Sequence, residues 1–144
     1  MHHIKIQPKN PYRPAAGSVR KGAVAVEFAV TAGIAIMFFF GSFEFCRVSM
    51  IRHTADNAVY EGVRAGIIPG ATKAEVESAT TKILRTLGLT DTTIKVTPET
   101  ITDDTRELTV EVTIPISKNS FGSSLFFRGK SVKRSLTMTR EISS

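Results

Sequence analysis

The chain is predicted to be α+β: a long N-terminal helix whose first half spans a membrane, then a small domain of one helix and about three antiparallel strands. Three observations carry this. Residues 23–46 are an apolar run in which Glu27 and Glu44 are the only charges. Beyond the run, Val48, Ile51, Ala55, Ala58, Gly62 and Ala65 recur in steps of three and four, the mark of one apolar stripe on a helix. Further on the period drops to two: Leu108, Val110, Val112, Ile114 and Ile116 alternate with Thr109, Glu111, Thr113 and Pro115, as in a half-buried strand.

The first element follows from its length. A spanning helix needs about 20 predominantly apolar residues, and residues 23–46 supply that. A secretory signal has an apolar core of about 7 to 15 residues followed by a small-residue cleavage site. Here the run closes Phe43-Glu44-Phe45-Cys46-Arg47 without such a site, so a retained membrane helix is expected. Charge sets its orientation. Residues 1–22 hold Lys5, Lys9, Arg13, Arg20 and Lys21 and no acid, whereas the rest of the chain carries 14 basic and 13 acidic side chains. The net charge of +6 therefore belongs almost wholly to a leader. By the positive-inside rule that leader stays cytoplasmic and everything after residue 46 crosses to the outer side. The expected protein is single-pass in the inner membrane, with its C-terminal domain extracytoplasmic.

No proline occurs between Pro14 and Pro69, so residues 23–68 are expected as one helix, roughly 69 Å long at about 1.5 Å per residue. Its stripe beyond residue 46 is narrow and rich in small residues. Such a stripe admits the close approach of another backbone, or covers the chain's own domain; both readings stay open at this level.

Pro69-Gly70 is a strong break, and Thr72-Lys73-Ala74-Glu75 has the form of a capping box. A second helix is expected from Lys73 to about Leu87, with Val76, Ala79, Ile83, Leu84 and Leu87 on one face and Gly88 as its stop. Ile94 and Val96 mark a short strand, Asp103-Asp104-Thr105 a turn, and residues 118–124 a loop; Val132, Leu136, Met138 and Ile142 suggest a last strand. The expected organisation is a leader over 1–22, a transmembrane segment over 23–46, a helical extension over 47–68 and a small domain over 69–144.

The residues offer no catalytic constellation, and no enzyme activity, cofactor or metal is expected. His2 and His3 fall in the leader, and His53 on the outer side of the helix, with one cysteine, Cys46, at the membrane edge. A zinc site or a nucleophile-base pair needs convergent ligands that this set does not supply. Asp103-Asp104 lacks the regular spacing and closing Glu of a calcium loop. Arg128, Lys130, Lys133 and Arg134 form a basic cluster beside Phe126 and Phe127, but no aromatic stacking pattern repeats along it, so nucleic acid is not expected.

Glu27 stands apart. It lies five residues past Gly22, which follows Arg20 and Lys21, and it opens 16 uncharged residues. An acid at the edge of a membrane segment is usually paired or functional. This arrangement resembles the processing and assembly signal of type IV pilins. With Gly22-Ala23-Val24-Ala25-Val26-Glu27-Phe28, then Gly41-Ser42-Phe43-Glu44-Phe45, then Asn57-Ala58-Val59-Tyr60-Glu61-Gly62-Val63-Arg64-Ala65-Gly66, residues 20–66 resemble the TadE-like family. Its members are minor pilins or pseudopilins of the bacterial tight-adherence pilus apparatus.

The resemblance implies that a prepilin peptidase cuts after Gly22 and leaves Ala23 as the new N-terminus. It also implies that Glu27, with Phe28 beside it, serves assembly by pairing with a freed α-amino group. A carboxylate in low dielectric is tolerated only with a partner, and an amine is a suitable one. Ala23 departs from the Phe or Met of many type IV pilins. Glu44 takes the place of the family's Glu-Phe at the outer boundary; local physics also allows it to pair with Arg47 three residues on. The implied partners are the lipid bilayer, other pilin-like subunits, the assembly machinery and the peptidase. A membrane-anchored binding or sensor module would share the anchor and the domain but would not need Gly22 and Glu27 at this offset.

Overall fold

The computed structural model describes residues 16–120, 127 and 129–140, with side chains from Lys21 onward. The elements in order are α1 (Ala16–Gly66), α2 (Lys73–Thr86), β1 (Thr93–Thr97), β2 (Glu107–Pro115), α3 (Ile116–Asn119) and β3 (Ser131–Thr139). The α+β expectation holds: a long N-terminal helix precedes one further helix of substance and three antiparallel strands. The chain divides into two units, residues 1–39 and 40–144.

In the first unit the described side chains belong to α1 alone. From Lys21 to Phe39 all are exposed except Ala32, including Phe28, Phe38 and Phe39. Such apolar exposure is costly in water and ordinary in lipid. α1 holds the one helix segment among the described residues that is long and apolar enough to cross a membrane. It begins seven residues before the expected start, so Gly22 lies inside a helix. The leader's proline-rich part, residues 8–14, lies outside the described residues.

In the second unit the later part of α1 changes role. Val48, Ile51, Ala55, Ala58, Val59 and Val63 are buried in the core. Gly62 and Gly66 are buried as well, because a Cβ on Gly62 would meet Thr80 and Val110, and one on Gly66 would meet Leu108 and Val76. The small-residue stripe therefore admits α2 and β2 of the same chain at close range. Of the two readings left open by the pattern, the structure decides for the chain's own domain along this stretch.

Local signals set the ends of α2. The Thr72 hydroxyl accepts from the Glu75 backbone N–H at 3.3 Å, and the Glu75 carboxylate accepts from the Thr72 backbone N–H at 2.8 Å, a closed capping box. At the other end Gly88 adopts φ of 65°, its N–H donates to Arg85 O at 2.9 Å, and the Leu89 N–H donates to Leu84 O at 3.3 Å. That is a Schellman stop, which needs a left-handed residue and so favours glycine.

The sheet runs β1-β2-β3, antiparallel throughout, with β2 central. Register places Val96 opposite Val110 and Leu136 on the inner face, and Lys95 opposite Glu111 and Ser135 on the outer face. Alternation along β2 buries Leu108, Val110, Val112 and Ile114 completely. The outer face is polar: the Thr109 and Thr137 hydroxyls share a hydrogen bond of 2.8 Å, and Lys133 meets Glu111 at 2.9 Å.

Two expectations need correction. Ile116 does not extend the strand; β2 ends at Pro115, which caps the four-residue α3, and the Ile116 N–H bonds to Lys130 O at 3.0 Å. Ile116 is still buried, since the first turn of α3 faces the core, and this is why the alternating pattern overran the strand. The inner face of β3 is also less apolar than Val132, Leu136 and Met138 suggest, because Arg134 falls between them, opposite Val112. Ile142 lies outside the described residues.

Candidate functional site on the N-terminal helix

The predicted site residues occupy one helix. Gly22, Ala23, Glu27 and Phe28 are all exposed on α1. Among the described residues nothing stands within 4 Å of a Cβ built on Gly22. Ala23 and Glu27 are four residues apart and share a helix face. Helical side chains lean toward the N-terminus, so the Glu27 carboxylate points back over the turn that begins at Ala23. Among the described residues Glu27 is in no ion pair.

Glu44 is half-buried at the far end of the apolar run, and its Oε1 is enclosed and accepts no hydrogen bond among the described residues. Arg47, one turn later, donates from Nε to Asn119 O at 2.9 Å and from Nη2 to Leu87 O at 3.3 Å. Local spacing allows Arg47 to pair with Glu44; in the fold these bonds of Arg47 tie the helix to the ends of α2 and α3. Asn119 is buried and completes that corner. Its Oδ1 accepts from the Thr90 N–H at 2.8 Å, and its Nδ2 donates to Thr90 O at 3.0 Å and Pro115 O at 2.9 Å.

Sequence reasoning missed three further groups. Asn119 sat in an anonymous polar loop. Arg140, only 6% exposed, donates to Thr102 O at 2.7 Å and to Ile68 O at 3.2 Å, locking the helix exit to the β1–β2 turn. Arg134 meets Asp56 of α1 at 2.8 Å. For Arg134 a signal existed: continuing the alternation of Val132 and Leu136 puts residue 134 on the inner face. Cys46 and His53 are exposed. Asp103 and Asp104 form the turn of a loop closed by Thr102 and Thr105, whose backbone bond is 3.0 Å. No group of three or more potential metal ligands stands together among the described residues.

These features define an α+β protein carrying one N-terminal helix able to cross a membrane, with its conspicuous polar residues on that helix rather than in a cleft. A family model described as TadE-like protein matches residues 22–64. The match begins at the glycine ahead of Glu27 and ends two residues short of the end of α1. Comparison with curated proteins and with solved structures found no match in either. The small domain beyond α1 thus rests on its own geometry.

Proposed function

We propose that this chain is a pilin-like subunit of a tight-adherence pilus, anchored by α1 in the inner membrane with its N-terminus cytoplasmic, and processed by a prepilin peptidase after Gly22. One observation carries the reading: within the segment that matches the TadE-like family, an exposed glutamate stands one helical turn after the residue that cleavage would make N-terminal.

The chemistry supports it. Cleavage would free the α-amino group of Ala23 and expose the first four backbone N–H groups of the shortened helix. Glu27, leaning back over that turn, offers a carboxylate to an amine and to the positive end of the helix dipole. The amine is that of the same chain or of a neighbouring subunit. In the uncleaved chain the carboxylate sits mid-helix without this partner, so processing and assembly are coupled through one charge. Gly22 serves the first step, because glycine in a helix interior costs about 1 kcal/mol relative to alanine and so eases local unwinding around the scissile bond. Phe28 and Glu44 mark contacts to partner subunits along the same helix.

The test joins processing to piliation. Co-expressed with its peptidase, the chain loses residues 1–22, and a bulky residue at Gly22 prevents the loss; N-terminal sequencing reads both. In a strain lacking the native protein, Glu27→Ala and Glu27→Gln reach normal membrane levels but do not restore pili. Normal piliation by Glu27→Ala at normal abundance would return the chain to the class of anchored binding modules. A reporter fused at the C-terminus that is active in the cytoplasm would overturn the orientation.

A further inference from the structure

The basic cluster ahead of β3 gains a different meaning in the folded chain. Val48, Ile116, Phe127 and Val132 floor an open notch of about 420 Å³, and Arg52, Lys130, Lys133 and Arg134 line it. Two of these cations are engaged, Arg134 with Asp56 at 2.8 Å and Lys133 with Glu111 at 2.9 Å. Arg52 and Lys130 are exposed, and neither is in an ion pair among the described residues. Backbone bonds place Lys130: its N–H donates to Phe127 O at 3.1 Å, its carbonyl accepts from the Ile116 N–H at 3.0 Å, and Gly129 takes φ of 72°.

Position narrows the occupant. Val48 and Arg52 follow Cys46, the last residue of the apolar run, by two and six residues on the same helix. At about 1.5 Å per residue that is roughly 3 and 9 Å beyond the run. The polar headgroup layer occupies about 5 to 7 Å on each side of the hydrocarbon core. The notch therefore begins where headgroups lie. An apolar floor beneath two uncommitted cations fits a ligand that is itself apolar at one end and anionic at the other.

The geometry points to a binding site for an anionic phospholipid of the outer leaflet, its phosphodiester held between Arg52 and Lys130 and its glycerol and upper acyl carbons against Val48, Phe127 and Val132. This rests on the membrane-anchored reading above. It gives the small domain a lipid contact of its own.

The test uses the full chain in nanodiscs of phosphatidylcholine with phosphatidylglycerol rising from none to half of the lipid. Site occupancy is read from hydrogen exchange of residues 127–134. Each basic side chain near an anionic surface contributes about fivefold in affinity, so Arg52→Gln with Lys130→Gln weakens the site about 25-fold. Wild type gains protection as phosphatidylglycerol increases, and the double variant stays flat. A control pair on exposed positions elsewhere, Lys82→Gln with Lys95→Gln, changes the net charge equally and titrates like wild type. Incorporation into the discs without any dependence on phosphatidylglycerol refutes the lipid site and leaves the anchored reading standing; failure to incorporate refutes both. Equal loss in the control pair refutes a specific site. Protection that needs a second copy or a partner pilin rather than anionic lipid assigns the notch to a protein carboxylate and overturns the proposal.

Discussion

Replacing Gly62 with alanine tests the packing of α1 on the domain at its tightest point. The added Cβ would overlap Thr80 Oγ1, and would lie 3.4 Å from Thr80 Cβ and 3.5 Å from Val110 Cγ1. The last two distances are tolerable; the hydroxyl is the obstacle. Thr80 is fully buried and donates to Val76 O at 2.8 Å, so turning it away breaks a bond inside the core. Overpacking a filled core costs about 1 to 3 kcal/mol, and the lost hydrogen bond about 1 kcal/mol. Against these, alanine is favoured over glycine in a helix by about 1 kcal/mol. The expected net is a destabilisation of about 1 to 3 kcal/mol, by these same terms. Removing the obstacle should reverse the sign. In a Thr80→Ala background, Gly62→Ala becomes neutral or stabilising by about 1 kcal/mol, which a double-mutant cycle reports as a coupling of about 2 kcal/mol. Thr80→Val retains a methyl where the hydroxyl was and gives no rescue. The measurement is native-state hydrogen exchange of the β2 amides in the detergent-solubilised full chain, since the slowest of them report global opening. If Gly62→Ala alone stabilises the chain, or if Thr80→Ala fails to rescue it, α1 does not pack on α2 at this point.

Three further outcomes follow from the same structure. Arg47→Met removes the donor to two carbonyls at the corner of α2 and α3 and lowers the stability of the small domain by about 1 to 3 kcal/mol, read by the same exchange experiment. Gly88→Ala places a Cβ on a residue with φ of 65°; it costs about 1 kcal/mol, and its effect on exchange is largest in the last turn of α2. The Glu75 carboxyl is held below its ordinary value, first by the Thr72 backbone N–H and then by the Thr72 hydroxyl. Because its folded value lies below the unfolded one, the contribution is full above the ordinary carboxylate range and is lost as pH falls through the folded value. Glu75→Gln therefore flattens the acid limb of the stability–pH curve while changing little below it; an unchanged limb would mean the capping box does not form in solution.

The features set by neighbours in the chain were legible from the residues alone. The apolar length of residues 23–46, the Thr72–Glu75 box, the Gly88 stop and the alternation of β2 each depend on groups no more than a few positions apart, where propensity and periodicity act directly. The offset of Glu27 from Gly22 is of the same kind. What the residues left open was which surface the small-residue stripe of α1 would meet, because a pattern of Ala and Gly states only that something comes close. The structure resolves it through Thr80, Val110, Val76 and Leu108, each distant in sequence from the glycine it faces. The same holds for Arg47 with Asn119, 72 positions apart, and for Arg140 with Ile68, also 72 apart. A charged side chain that satisfies a distant carbonyl leaves no periodic trace, and only the folded chain brings donor and acceptor together. The basic cluster shows both sides of this. Its charges were visible in the sequence, but folding engaged Arg134 and Lys133 and left Arg52 and Lys130 over an apolar floor.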